Sequence, residues 1–356
     1  MDPKNILVTG GAGFVGSHLA VSLKREFPRS GVWALDNLKR RGSEFNLPRL
    51  RESGVKFVHG DIRSEEDLDL AFDLDLILEC SAEPSVMAGY GVNPKYVIQT
   101  NLTGTVNCLE LARKKKSAVI FLSTSRVYPY DLLSAIPTRE TPTRLEWDLG
   151  GNTLPGLSYD GVGLDFPLTG PKSMYGATKL ASELLMTEYM AMYGIRGIVN
   201  RCGLIAGPWQ FGKVDQGVVT LWMLAHYFKK KLNYIGFGGT GKQVRDVLHV
   251  QDLFELIVIQ IRELDALSGE IFNMGGGIKN SVSLQELSDL CTKLTGNRVE
   301  IGRDPNNRPA DIPVFITDND KVTKRLNWKP KRDLEETLAN IFDWVKQNES
   351  VTHTLL

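Results

Sequence analysis

Tyr175 and Lys179 stand four positions apart in Tyr175-Gly176-Ala177-Thr178-Lys179. On a helix, i and i+4 share one face, so a phenol and an ammonium project into the same space. A free tyrosine ionises near pH 10, and an adjacent cation lowers that by about 1–3 units. Such a pair can take a proton from an alcohol near neutrality. The spacing alone is common on surface helices, and its meaning depends on what precedes it. What precedes it is Thr9-Gly10-Gly11-Ala12-Gly13-Phe14-Val15-Gly16. Gly10, Gly13 and Gly16 give the pattern G-x-x-G-x-x-G between an apolar run and a helical pattern. Glycine allows the tight turn and lets a pyrophosphate approach the backbone. Phe14 and Val15 begin the helix, whose free N–H groups and positive dipole end favour phosphate. Asp36, followed by Asn37, ends the next apolar run, where an acid accepts hydrogen bonds from adenosine ribose hydroxyls. These residues predict a bound dinucleotide. Asp36 would repel a 2′-phosphate and so selects NAD over NADP, although Arg40 and Arg41 pull the other way. His59-Gly60-Asp61-Ile62 follows a third apolar run and is placed to meet the adenine, with Asp61 as the polar group. An oxidised nicotinamide would add a second positive charge beside Tyr175. The phenol could then accept a proton from a sugar hydroxyl as a hydride leaves the same carbon.

The elements that must hold these groups read as short β-branched runs alternating with helices through the first 200 residues. The candidate strands begin at Ile6, Val32, Lys56, Leu76, Ala118 and Gly197. They are continuous apolar runs without strict alternation, which marks strands buried on both faces of a parallel sheet. The β-α-β-α order predicts an α/β fold, a Rossmann-type doubly wound parallel sheet. Ligands bind such sheets at the carboxyl ends of the strands. Ser123-Thr124-Ser125 lies at the end of the fifth, and any of the three hydroxyls could orient the reacting oxygen. Beyond residue 200 the rhythm changes and Gly- and Pro-rich loops appear. Ser283 and Glu286 have capping-box spacing ahead of an apolar stripe, and a last amphipathic helix is expected from Asp333 to Trp344. The expected organisation is a dinucleotide-binding domain over residues 1–200, with segments near 240–265 packing back on it. A smaller C-terminal α+β substrate domain is expected over 201–356.

The chain has 356 residues, of which 42% are apolar and 24% charged, both near the globular average. Lys and Arg total 42 and balance 42 Asp and Glu, which gives no electrostatic footprint for nucleic acid. The four cysteines, Cys80, Cys108, Cys202 and Cys291, show no metal-ligand spacing, so neither a metal site nor a disulfide framework is expected. There is no signal segment and no apolar run long enough to span a bilayer, so a cytoplasmic protein without membrane partners is expected.

Taken together, the motifs resemble those of the extended short-chain dehydrogenase/reductase superfamily, the nucleotide-sugar epimerases and dehydratases. The likeness runs from about Asn5 to Trp344. Asn101-Leu102-Thr103-Gly104-Thr105 and Val244-Arg245-Asp246-Val247-Leu248-His249-Val250 support it. Within the family, the nearest likeness is to the branch that epimerises C2 of CDP-activated sugars, including the long segment from Pro137 to Lys172. The resemblance implies Thr124 as the catalytic hydroxyl, Tyr175 as acid/base, and Lys179 as its partner and ribose ligand. It implies that Asn101 supports the active-site end of NAD, and that Arg245 and Arg308 grip the substrate diphosphate. Glu83 and Gln210 would also lie against the substrate. It further implies a nucleotide-sugar substrate, with a CDP-sugar favoured, and a homodimer or homotetramer. Dehydratase relatives carry an Asp-Glu pair after the catalytic Thr, whereas this chain has Ser125-Arg126. A redox-neutral epimerisation is therefore expected. A UDP-sugar 4-epimerase is the rival within the family, and a non-catalytic NAD-sensing protein the rival outside it.

Overall fold

In the computed structural model, residues 2–151, 154–212 and 216–354 are described. A seven-stranded sheet forms the centre. Its strands are β1 (Asn5–Thr9), β2 (Gly31–Asp36), β3 (Lys56–His59), β4 (Leu76–Glu79), β5 (Ala118–Thr124), β6 (Gly197–Cys202) and β7 (Ile271–Met274). Their order is β7-β6-β5-β4-β1-β2-β3. The pairings of β1 with β2 and β4, of β2 with β3 and of β4 with β5 are all parallel. The order reverses direction between β1 and β4, which is where a doubly wound sheet opens its ligand crevice. Ile6, Leu7 and Val8, and likewise Leu76, Ile77 and Leu78, are wholly buried, as unbroken apolar runs covered by helices should be. The sequence reading finds six of these strands. The seventh, β7, arrives from residue 271 and carries too short an apolar run to stand out.

The chain divides into two compact units. The first comprises residues 1–127, 174–201 and 253–272; the second comprises 128–173, 202–252 and 273–356. Residues 128–173, read from sequence as part of the first domain, thus cluster with the second unit. Of the stretch near 240–265, only the part from Leu253 onward belongs to the first. Within the second unit, strands Leu204–Ala206, Val244–His249, Ser281–Ser283 and Val314–Phe315 form a small mixed sheet. The helix Leu284–Thr295 starts on the expected capping box, with Ser283 accepting from the Glu286 N–H and Glu286 reaching back to the Ser283 N–H. The last long helix is Leu334–Gln347, capped by Asp333. No helix among the described residues is long and apolar enough to cross a membrane.

Candidate active site

The loop after β1 is shaped by atoms that exclude side chains. Gly10 adopts φ +62°, and a Cβ there would lie 2.9 Å from Ser81 Cα. A Cβ on Gly16 would lie 2.1 Å from the Gly10 carbonyl oxygen. The helix Phe14–Glu26 begins at Gly13 with no side-chain cap and no acidic residue in its first turn. No side chain of the helix itself compensates its positive end, which favours an anion there. At the end of β2, Asp36 accepts from the Ala12 N–H (3.1 Å) and the Leu38 N–H (2.8 Å). Burial raises its carboxyl above the usual range, and those backbone donors oppose the rise. Asp36 thereby ties the glycine loop to the β2 terminus. The cradle and the acid at its far side fit a dinucleotide.

Beside Asp36, Asn37 donates to Asp61 (2.8 Å) and Arg63 pairs with the same carboxylate (2.6 Å). The Arg63 hydrogen bond is the main cause that holds Asp61 down to about 2, with burial opposing it. Tyr96 lies under both cations at this edge, with Lys39 Nζ 4.5 Å and Arg63 Cζ 5.0 Å from its ring centre. The Asp61 carboxylate, expected to meet the adenine, is thus engaged by Asn37 and Arg63. Ile62 is buried against Gly104, where a Cβ would come within 2.4 Å of its Cδ1.

Tyr175 and Lys179 lie on the helix Met174–Tyr193. Tyr175 is half-buried, whereas Lys179 is only 2% exposed. The Lys179 ammonium lies 4.3 Å from the Phe121 ring centre and 4.0 Å from Glu79 Oε2. Glu79 ends β4, is wholly buried, and shares the Thr105 hydroxyl (3.3 Å) with the nearer Asn101 carbonyl (2.8 Å). Burial pushes its carboxyl up, and the Lys179 charge only partly offsets this. Sequence reading missed Glu79, although an acid closing the apolar run Leu76-Ile77-Leu78 was a visible signal.

The three hydroxyls at the end of β5 differ in surroundings. Ser123 Oγ donates to Glu183, which Arg201 also holds with its Nε (3.1 Å) and Nη2 (2.8 Å). Ser123, Glu183 and Arg201 are all at most 5% exposed, so Ser123 belongs to a closed network. Thr124 points to the other side of the strand. It is buried, and its Oγ1 accepts from the Arg126 N–H at 3.1 Å. Ser125 is half-buried in the one-turn helix Ser125–Val127.

Asn101 sits in a π-helical turn, Gln99–Thr103, within the segment running into the helix Gly104–Lys115. Its Oδ1 accepts from the Glu83 N–H (2.7 Å), and its Nδ2 donates to Glu83 O (3.1 Å) and Thr178 Oγ1 (3.3 Å). Its carbonyl takes the hydroxyls of Thr105 and Ser182. Asn101 therefore clamps the loop after β4 to the Tyr175 helix. Glu83, held by that clamp, is half-buried and accepts from the Ser85 N–H (3.2 Å).

The remaining expected residues are in the second unit. Arg245 on the strand Val244–His249 pairs with Asp311 (2.8 Å) and donates to Ile312 O (2.7 Å). Arg308 is half-buried in the segment leading to Asp311. Gln210 donates to Ile205 O (3.0 Å) and accepts from Thr220 Oγ1 (2.8 Å), so both ends of its amide brace the unit internally.

Comparison with known proteins extends these observations. Residues 6–275 match the model of the NAD dependent epimerase/dehydratase family. The chain is 33% identical to the CDP-paratose 2-epimerase of Salmonella typhi, over 95% of this chain and 98% of that one. It is 29% identical to the UDP-glucuronate 4-epimerase of Thermodesulfobacterium geofontis, over 96% of both chains. The structure of Thermus thermophilus UDP-glucose 4-epimerase complexed with NAD superposes with a TM-score of 0.75 at 26% identity, covering 97% of this chain and 99% of that one. From its glycine cradle to its matched length, the chain belongs to the NAD-dependent epimerase/dehydratase family and uses NAD as its cofactor.

Proposed function

We propose that the protein epimerises a nucleotide-activated sugar, with C2 of a CDP-sugar such as CDP-paratose as the favoured target. The observation that carries the reading is the half-buried Tyr175 one helical turn from the buried Lys179. Similarity to the Salmonella enzyme along nearly the whole of both chains supports the choice of substrate. Gly10, Gly13, Phe14, Val15 and Gly16 would hold the NAD pyrophosphate, Asp36 and Asn37 its adenosine ribose, and Asp61 and Ile62 the adenine edge. The chemistry NAD supplies when bound is a hydride acceptor that is also the donor, so a stereocentre is oxidised and re-formed without net redox change.

The Tyr175 phenolate removes the proton from the sugar hydroxyl, and the resulting phenol later returns it. Lys179 favours the phenolate through its charge. Thr124 Oγ donates to the reacting oxygen and fixes its position. That role suits the structure, because Ser123 is already engaged by Glu183. Arg245 and Arg308 would anchor the diphosphate while the flattened carbon turns, since a guanidinium fork matches phosphate oxygens. Ser125-Arg126 offers no acid–base pair for dehydration. The compartment proposed is the cytoplasm, where thiols such as the buried Cys108 and Cys291 stay reduced. The assembly expected from the family likeness is a homodimer or homotetramer.

The test is to incubate the NAD-loaded enzyme with CDP-paratose or UDP-glucose, each deuterated at C2 or C4. Inversion at C2 of the CDP-sugar with retention of the label is expected. Inversion at C4 of UDP-glucose, the activity named for the Thermus thermophilus enzyme, would select the rival epimerase instead. NAD binding without turnover of any sugar nucleotide would leave only a sensing role.

A further inference from the structure

We propose that Glu79 is a positioning residue for the Tyr175–Lys179 pair, holding the lysine ammonium in place one helical turn from the phenol. This rests on the reading of Tyr175 as the acid/base. The carboxylate is wholly buried at the carboxyl end of β4, the end at which the site is built. One oxygen, Oε2, lies 3.3 Å from Thr105 Oγ1, whose single proton is shared with the nearer Asn101 carbonyl (2.8 Å), and faces the Lys179 ammonium at 4.0 Å. The other, Oε1, meets no hydrogen-bond donor among the described residues.

A purely structural carboxylate in such a place would be saturated with donors, because an unsatisfied buried oxygen is costly. Glu79 has at most a share in one hydroxyl, that of Thr105, and its remaining partner is a charge. The 4.0 Å separation is a Coulombic contact, too long for a hydrogen bond, so it leaves the ammonium's N–H donors uncommitted to the carboxylate. The neighbours on each side add no competing charge. In register with Glu79 on the flanking strands are Thr9 and Phe121. From the helix Gly104–Lys115 come Thr105 and Cys108, whose thiol burial pushes far above its usual value and so keeps neutral. Lys179 is the one cation that faces it from the Tyr175 helix.

Replacing the carboxylate with an amide would leave a buried ammonium without its counter-charge, a strongly unfavourable arrangement. The ammonium would then turn toward solvent or give up its proton. In either case Tyr175 loses the cation that favours its ionised form.

The test reads the phenol itself and needs no substrate. Tyrosinate absorbance near 295 nm is titrated against pH in the NAD-loaded wild-type, Glu79→Gln and Glu79→Asp proteins. Each is differenced against the same protein carrying Tyr175→Phe, which isolates one phenol among the ten tyrosines. The Glu79→Gln midpoint is expected to rise by about one pH unit or more. The Glu79→Asp midpoint should fall between it and the wild type, since a shorter carboxylate keeps the charge. Should Glu79→Gln not fold, a raised midpoint in Glu79→Asp is the expected result. Unmoved midpoints overturn the proposal, as does a shift in Glu79→Asp equal to that in Glu79→Gln. If the wild-type difference shows Tyr175 ionising no earlier than a free tyrosine, the acid/base reading itself fails, whatever Glu79 does.

Discussion

Two buried ion pairs hang from successive turns of the helix Met174–Tyr193, and they are built differently. In one, Glu183 is gripped by two nitrogens of Arg201 at ordinary hydrogen-bond distances of 3.1 and 2.8 Å, and it also takes the Ser123 hydroxyl. In the other, Lys179 and Glu79 stand 4.0 Å apart, and one carboxylate oxygen is left without a donor. Both are almost wholly removed from water. A charge pair recovers its desolvation cost only when geometry and extra hydrogen bonds are good. The Arg201–Glu183 pair meets that condition and locks the helix to the ends of β5 and β6. The Lys179–Glu79 pair does not, and its lysine stands one helical turn from the tyrosine to which chemistry is assigned. Saturation marks the joint, and incompleteness marks the working part.

The comparison can be broken in order of expected effect. Tyr175→Phe should lower sugar-nucleotide turnover by about 10²–10⁴-fold, the usual contribution of a general acid/base, while NAD binding by titration is kept. Full activity in that variant would remove the chemistry from the second pair. Glu183→Gln should cost about 3–5 kcal/mol in urea unfolding, because it strands the Arg201 charge in the interior. A loss below about 1 kcal/mol would show that the saturated pair is not a joint. The neighbouring hydroxyls sharpen the contrast. Thr124→Val should reduce turnover by about 10–100-fold, equivalent to one hydrogen bond to a charged group, with only about 0.5–1.5 kcal/mol lost in unfolding for the bond from the Arg126 N–H. Ser123→Ala should do the reverse, lowering stability by about 1.5–3 kcal/mol with turnover nearly unchanged. Exchange of these two phenotypes would reassign the catalytic hydroxyl.

The smallest effect is expected at the adenine edge, where charges are partly exposed. Asp61 is held at about 2 against an ordinary 3.8. A depressed carboxyl stabilises the fold above its unfolded value and loses that contribution as pH falls. The melting temperature should therefore carry a small Asp61-dependent fall between about pH 4 and pH 2, worth about 0–1 kcal/mol at an exposed pair. Asp61→Asn should erase that fall, and an unchanged profile would show Arg63 to be no real partner.

Much of this was legible in the residues, and for physical reasons. The strands of a covered parallel sheet must be apolar without interruption, so β1, β2, β4 and β5 announce themselves. The glycine cradle is legible because only a missing Cβ fits at Gly10 and Gly16. The capping box at Ser283 is a local hydrogen-bond pattern, and local patterns survive in sequence. The division of labour among Ser123, Thr124 and Ser125 was not legible. It depends on Glu183 and Arg201, which lie 60 and 18 positions from their partners Ser123 and Glu183. The engagement of both ends of the Gln210 amide and the pairing of Arg245 with Asp311 were hidden for the same reason. A side chain's chemistry can be read from its type, but whether another part of the chain has already claimed it is a property of the fold.

The π-helical turn at Gln99–Thr103 constrains how this chain can vary in length. A wide turn is equivalent to one residue inserted into a helix, and each residue advances an ordinary helix by about 100°. The segment therefore carries two rotational phases. The earlier one aims Asn101 at the loop after β4, and the later one seats Gly104 against Ile62. A deletion that restored a regular helix could satisfy one phase only, so either the clamp or the seat would be lost. Point replacements on the outer face of this segment should be well tolerated, while a single-codon loss within it should not be.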